Sequence, residues 1–325
     1  MPLVSIVPTV DLTPVIRGTL DSHDAERTLS QIREACADIG FLVVVGHGIP
    51  SAVLAAGREA ANEFFALTEA HKLAASPRQW NPSSTNVYRG YFPSSADGKE
   101  GLDLGDPQIL PPGLDVDGAH LLESNRLPEC LGPKWHEDVE LYFNAFFKLG
   151  GDIVRAMIAS LGGDPARATR GFARPRSTST LRFNYYPAFT SPHTRSKSDD
   201  ESLCCEEHAD SGLITILQQC DRDGLQVRDQ NGRWHSIVPA ADALVINTGR
   251  ALQFALGDAF RATEHRVLHS LEPRLSIPFF FEPTPELMLE PASFGLDWPS
   301  TQKPVAYGEF LQDSLMQFPE YNRAL

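Results

Sequence analysis

A chain of 325 residues that is 42% hydrophobic and 22% charged has ample material for a packed globular core. Its 28 basic and 42 acidic residues leave a formal charge of -14 and an isoelectric point near 5.1. Such a surface repels phosphate backbones and anionic headgroups, which argues against nucleic-acid and membrane partners. Five irregularly spaced cysteines, Cys36, Cys130, Cys204, Cys205 and Cys220, make neither a disulfide framework nor a CxxC zinc motif. Apolar runs such as FLVVVG are too short to cross a bilayer, and the proline-broken start MPLVSIVPTVDLTP lacks the basic flank of a secretion signal. The expected compartment is the cytoplasm.

In chain order, a strand-like SIVPTVDL precedes SHDAERTLSQIREACADIG, where Ala25, Leu29, Ile32, Ala35 and Cys36 recur at helical spacing behind a Ser22 cap. A buried strand FLVVVGH follows. Ser51 then opens a second helix expected to run to about residue 73. Residues 75 to 132, rich in Pro, Gly, Ser and Asp, read as loops around short strands, and the 93 to 132 stretch as a lid. Over 134 to 162, Trp135, Val139, Tyr142, Phe146, Leu149, Ile153, Met157 and Leu161 mark the longest helix, with a kink expected at Gly150-Gly151. From STLRFNYYP to IPFFFEP the pattern changes to short Ile, Val, Leu and Phe runs broken by turn signals such as DRDG and DQNGR. Strands without intervening helices imply an antiparallel sandwich or barrel, and GEFLQDSLMQF a closing helix. The expected organisation is one composite domain, with a mixed helix and strand region (1 to 175) packing on a β core (176 to 325).

The chemistry concentrates in that core. In EEHADSGLITIL, His208 and Asp210 sit at i and i+2, on one face of an extended backbone. Two histidines and one carboxylate form the facial triad of non-haem Fe(II) oxygenases, which leaves coordination positions open. ATEHRVLHS supplies a second histidine, His265, at a separation of 265 minus 208, or 57 residues. The HxD pair alone does not distinguish a metal site from a hydrogen-bonded strand end. Its surroundings add weight: PRLSIPFFF places Arg274 and Ser276 on one strand face, where a guanidinium fork and a hydroxyl suit a carboxylate. RFNYYP places Asn184 and Tyr186 on one face as well.

Taken together with DIGFLVVVGHGIP, RGY, DGKEGLDLG and DGLQV, these segments resemble the Fe(II)- and 2-oxoglutarate-dependent dioxygenases of the isopenicillin N synthase-like family over nearly the whole chain. The resemblance implies a double-stranded β-helix, or jelly roll, wrapped by N-terminal helices. It implies that His208, Asp210 and His265 bind iron, and that Arg274 and Ser276 hold the distal carboxylate of 2-oxoglutarate with help from Tyr186 and Asn184. It further implies that O2 and 2-oxoglutarate generate an Fe(IV)-oxo oxidant with release of succinate and CO2, and that this oxidant hydroxylates, desaturates or cyclises a small molecule.

By strand parity Phe280 shares the face of Arg274 and Ser276 and is expected to wall the substrate pocket. Arg89 and Tyr91, in YRGYF, are expected near the substrate, with Arg89 either meeting a substrate carboxylate or serving structure. Gly249-Arg250 departs from the Gly-Asp of many relatives, and FALGD from their Asn-Gly turn, so a particular relative's specificity does not carry over. The expected substrate is an amino-acid-derived or specialised metabolite, taken by a monomer or homodimer. Three other readings compete: an iron oxidase that works without 2-oxoglutarate, a zinc hydrolase on the same ligands, and a non-catalytic jelly-roll binding protein.

Overall fold

The computed structural model describes residues 6–17, 19–93, 99–108, 119–188 and 203–316. Of the stretch read as a lid, residues 94–98 and 109–118 lie outside them. The first part of the chain is β1 (Thr9–Asp11), α1 (Thr13–Arg17), α2 (His23–Asp38), β2 (Phe41–Val45), α3 (Ser51–Phe65), α4 (Glu69–Ala74), β3 (Gly90–Phe92), β4 (Glu100–Leu104) and α5 (Pro133–Ser160). The rest is β5 (Thr180–Tyr186), β6 (Leu203–His208), β7 (Ile214–Gln218), β8 (Leu225–Arg228), β9 (Trp234–Ser236), β10 (Leu244–Thr248), α6 (Arg250–Ala255), β11 (His265–Leu268), β12 (Arg274–Phe281) and α7 (Tyr307–Leu315). No helix among the described residues is long and apolar enough to cross a membrane.

Side-chain caps set the starts of α2 and α4. Ser22 Oγ accepts the Ala25 N–H at 3.2 Å and so starts α2. The single helix expected from 51 to 73 is two, because Thr68 interrupts it and caps α4 by accepting the His71 N–H. Ser51 is the first residue of α3 rather than its cap, which is Pro50.

At Gly150-Gly151, where a kink is expected, the helix is not interrupted: α5 runs for 28 residues. The glycine serves close packing instead: a Cβ on Gly150 would stand 2.4 Å from Cγ of Phe281. That ring stacks on Phe172 at 4.5 Å and meets Phe147 edge-on at 5.1 Å.

Two sheets build the β core. An eight-stranded sheet runs β1-β2-β10-β7-β12-β5-β4-β3, drawing strands from both ends of the chain, and a four-stranded sheet runs β6-β11-β8-β9. Apart from β1 with β2, every pairing is antiparallel. This is the jelly-roll arrangement, with α2, α3 and α5 covering the outer face of the larger sheet. Strand β12 shows how the layers divide: Ile277, Phe279 and Phe281 turn into the helix-covered core, while Arg274, Ser276, Pro278 and Phe280 line a cavity between the sheets. Strand β5 alternates in the same way, with Thr180, Arg182, Asn184 and Tyr186 on the cavity side.

A Gly150→Ala substitution tests this packing. In an open helix it would stabilise by about 1 kcal/mol through helix propensity. Against the Phe281 ring it is expected to destabilise by about 1–3 kcal/mol in urea unfolding, as overpacking does. A gain in stability would refute the close approach.

Candidate active site

The three residues of the expected triad converge. His208 ends β6 and His265 begins β11, and the antiparallel register sets them directly opposite each other, ring centroids 4.3 Å apart. Asp210 follows His208 by two residues, just after the strand ends. Both Nε2 atoms stand 3.6 Å from Asp210 Oδ1. One ligand atom from each of the three lies within 4.8 Å of the others, close enough to share one cation.

Each member is aimed by a further bond. Nδ1 of His208 meets the Glu206 carbonyl at 2.7 Å, and Nδ1 of His265 meets that of Thr263 at 3.2 Å. A carbonyl oxygen only accepts, so each Nδ1 donates, and in a neutral imidazole Nε2 turns its lone pair toward the shared point. Asp210 Oδ2 is held by the Thr215 hydroxyl at 2.5 Å and the Asn247 amide at 2.8 Å, which leaves Oδ1 for the histidines. Thr215 lies on β7 and Asn247 on β10, paired register positions of the larger sheet. Sequence reasoning missed both; the faint signal was a polar residue inside each of two apolar strands.

The electrostatics follow from burial and proximity. Burial opposes ionisation of Asp210, but His265, His208, Thr215 and Asn247 outweigh it and hold the carboxyl below the usual carboxylate range. Burial, with His208 alongside, brings His265 down to about 4, so it is neutral at pH 7. Burial also pulls on His208, yet Cys205 and Asp210 prevail and raise it to about 9. At neutral pH the two rings therefore share one proton beyond the neutral pair, and it rests on His208.

The cavity beside the triad has a volume of about 660 Å³. At one end Arg274 is 2% exposed, packed 5.1 Å from the Tyr186 ring centroid, and has no ion-pair carboxylate among the described residues. Its Nε reaches the Arg222 carbonyl at 3.4 Å, while Nη1 is sealed in protein without a hydrogen-bond partner. Asn184, whose amide lies 3.5 Å from Ser276 Oγ, likewise has a partnerless buried Oδ1. The register sets Arg274 opposite Tyr186 and Ser276 opposite Asn184, so the four residues form two adjacent rungs. The buried, unsatisfied Arg274 donor fits a carboxylate ligand, whereas Asn184 Oδ1 is an acceptor and calls for a donor instead.

Phe280 lines the cavity, with the Arg182 guanidinium 5.5 Å from its ring. Neither Arg89, read as either a substrate contact or a structural residue, nor Tyr91, expected near the substrate, is among the residues lining the cavity. Arg89 is 1% exposed and clamps the carbonyls of Leu121 and Thr178 and the Thr180 hydroxyl. The Tyr91 hydroxyl is bound to Glu100 at 2.5 Å. Their neighbour Tyr88 lines the cavity instead, together with Asp103, whose carboxylate holds Arg182 in a bidentate pair at 2.5 and 2.6 Å.

Comparison with known proteins agrees with this arrangement. The 2OG-Fe(II) oxygenase superfamily pattern matches residues 177–283, and that of the non-haem dioxygenase in morphine synthesis N-terminal region matches residues 7–130. Gibberellin 20 oxidase 1-B of Triticum aestivum is 30% identical over 320 residues, covering 97% of this chain and 81% of that protein. Isopenicillin N synthase of Streptomyces clavuligerus is 28% identical over 319 residues, 95% of this chain and 94% of that one. Among solved structures, a 2OG-Fe(II) oxygenase family protein from Caulobacter crescentus superposes with TM-score 0.78 at 25% identity, over 97% of this chain and 99% of that one. A Neurospora crassa protein solved in complex with alpha-KG and thymine gives 0.80 at 23%, over 96% and 97%. The chain belongs to the 2OG-Fe(II) oxygenase superfamily. It is an Fe(II)- and 2-oxoglutarate-dependent oxygenase that uses O2.

A cation entering the triad must expel the His208 proton. Anaerobic Fe(II) titrations are therefore expected to show Kd falling about tenfold per pH unit from pH 6 to 8, with one proton released in calorimetry across buffers of different ionisation enthalpy. A pH-independent Kd would contradict the shared proton.

Proposed function

We propose that His208, Asp210 and His265 hold the Fe(II), and that Arg274 and Ser276, flanked by Tyr186 and Asn184, hold the distal carboxylate of 2-oxoglutarate. The observation that carries this reading is the buried Arg274 Nη1 with no partner among the described residues, in the same cavity as a carboxylate and two imidazoles aimed at one point. A zinc hydrolase leaves that cation unexplained, and a non-catalytic jelly roll leaves the intact ligand trio without a use. Bound together, iron, 2-oxoglutarate and O2 supply the power to take a hydrogen atom from an unactivated C–H bond, with succinate and CO2 released.

The protein's own part is to bind, orient and exclude water. Thr215 and Asn247 keep Asp210 from rotating away from the histidines, and Phe41 packs edge-on against His265 at 5.3 Å, covering one side of the centre. Phe280, Leu311 and Leu315 give the substrate region apolar walls, while Tyr88, Thr178, Thr180 and the Arg182–Asp103 pair give it polar ones. A lining of this mixture suits a compact, polar small molecule, whose placement against the metal decides among hydroxylation, desaturation and ring closure. The Neurospora crassa structure with thymine offers a precedent of that size. We place the enzyme in the cytoplasm, as a monomer or homodimer.

The test is spectroscopic and anaerobic. Fe(II) and then 2-oxoglutarate, added to metal-free protein, are expected to give a weak visible charge-transfer band that needs both. The band vanishes in His208→Ala, and in Arg274→Ala it requires roughly 100-fold more 2-oxoglutarate, the loss typical of removing one partner of a buried charged pair. Iron binding without a band, alongside O2 consumption indifferent to 2-oxoglutarate, would move the assignment to an oxidase drawing its electrons from the substrate.

A further inference from the structure

The cavity face of β12 continues past Phe280. One rung on, at Glu282, the same parity places a carboxyl that also lines the cavity, at the opposite end of the row from Arg274 and about 26 Å from it by strand rise. Thr215, which holds Asp210, is the register partner of Phe280. The metal-binding group thus faces the Phe280 end of the row, and Glu282 lies just beyond.

Glu282 is 5% exposed. Its Oε2 accepts two hydrogen bonds, from the Leu213 N–H at 3.0 Å and the Tyr307 hydroxyl at 2.6 Å. Its Oε1 accepts none from any described residue, yet it is not sealed in protein, so it opens onto the cavity. The turn after Asp210 is shaped around it: a Cβ on Gly212 would stand 1.8 Å from Oε1.

No Lys or Arg pairs with this carboxyl among the described residues, and the nearest acidic group of the centre, Asp210, opposes its ionisation. Burial above all pushes it up to about 8, so it is neutral at pH 7. With Oε2 already accepting two donors, the proton belongs on Oε1. The cavity therefore presents an O–H, the use to which a buried neutral carboxyl is put in other enzymes.

We propose that Glu282 is a specificity-determining contact, donating a hydrogen bond from Oε1 to a carbonyl oxygen of the substrate and so selecting a carbonyl-bearing small molecule: a ketone, ester or amide. Tyr307, at the start of α7, is a positioning residue that holds the carboxyl in place. The inference rests on the reading of this cavity as the oxygenase site.

Acetophenone, ethylbenzene and benzylamine are suitable probes, with binding to the anaerobic Fe(II)/2-oxoglutarate protein followed by ligand-observed NMR. The wild type is expected to prefer acetophenone over ethylbenzene by about tenfold, the worth of one buried hydrogen bond. Glu282→Gln, which still offers an N–H at that place, keeps the preference within about threefold, and Glu282→Met abolishes it. In both variants the iron and 2-oxoglutarate absorption stays as in the wild type, which separates this proposal from the oxygenase assignment. A preference for benzylamine lost in Glu282→Gln, a carbonyl preference that survives Glu282→Met, or no preference in the wild type would overturn it.

Discussion

Everything in the site depends on the restraint of one carboxylate. Asp210 sits on a turn beyond the end of its strand, where an unrestrained side chain would rotate among several positions. Two bonds from the larger sheet, Thr215 and Asn247, fix its Oδ2. Its backbone is gripped as well: the Arg250 N–H donates to the Asp210 carbonyl and the Gly249 N–H to that of Leu213, both at 2.8 Å. Gly249 cannot be otherwise, since a Cβ there would stand 2.2 Å from the Gly212 carbonyl oxygen. The smaller sheet contributes the histidines and the larger one the means of aiming the acid, so the centre exists only where the two sheets face each other.

The same division of labour explains the rest of the cavity. Alternation along β5 and β12 sends one set of residues into an aromatic core against α5 and the other into the cavity. A rigid scaffold on one face supports polar groups on the other, which is how Arg274 can remain buried with a partnerless Nη1. In a native interior such a group is destabilising unless a ligand completes it. Rigidity behind the site and unsatisfied polarity within it are two consequences of one strand pattern.

Much of this was legible in the residues themselves. Where a side chain's direction follows from strand parity, as at His208, Arg274, Ser276 and Phe280, sequence reasoning placed it on the face that lines the cavity; Asp210 lies beyond its strand's end, so parity alone does not account for its position. Parity also reaches Glu282, one position past where the apolar run ends. The short β3 segment offered no such guide: Arg89 was left open between a substrate carboxylate and a structural role and Tyr91 was expected near the substrate, while Tyr88 is the residue that lines the cavity. Arg89 turned inward because nearby carbonyls needed a donor, and a single sequence does not show where those carbonyls lie. Asn247 and Thr215 escaped notice for a related reason: their role depends on β7 and β10 being neighbours, a long-range pairing. Gly150 was read as a helix weakness when its cause lay on another strand, in the ring of Phe281.

The central claim is that two imidazoles and one restrained carboxylate bind the metal. X-ray absorption at the iron edge of the anaerobic Fe(II) protein tests it most directly, because it counts ligands by type. The account predicts two imidazole scatterers among nitrogen and oxygen neighbours at about 2.0–2.2 Å, no sulfur, and one imidazole fewer in His265→Ala. A sulfur scatterer, pointing to Cys205 beside His208, or an imidazole count unchanged in His265→Ala, would contradict it.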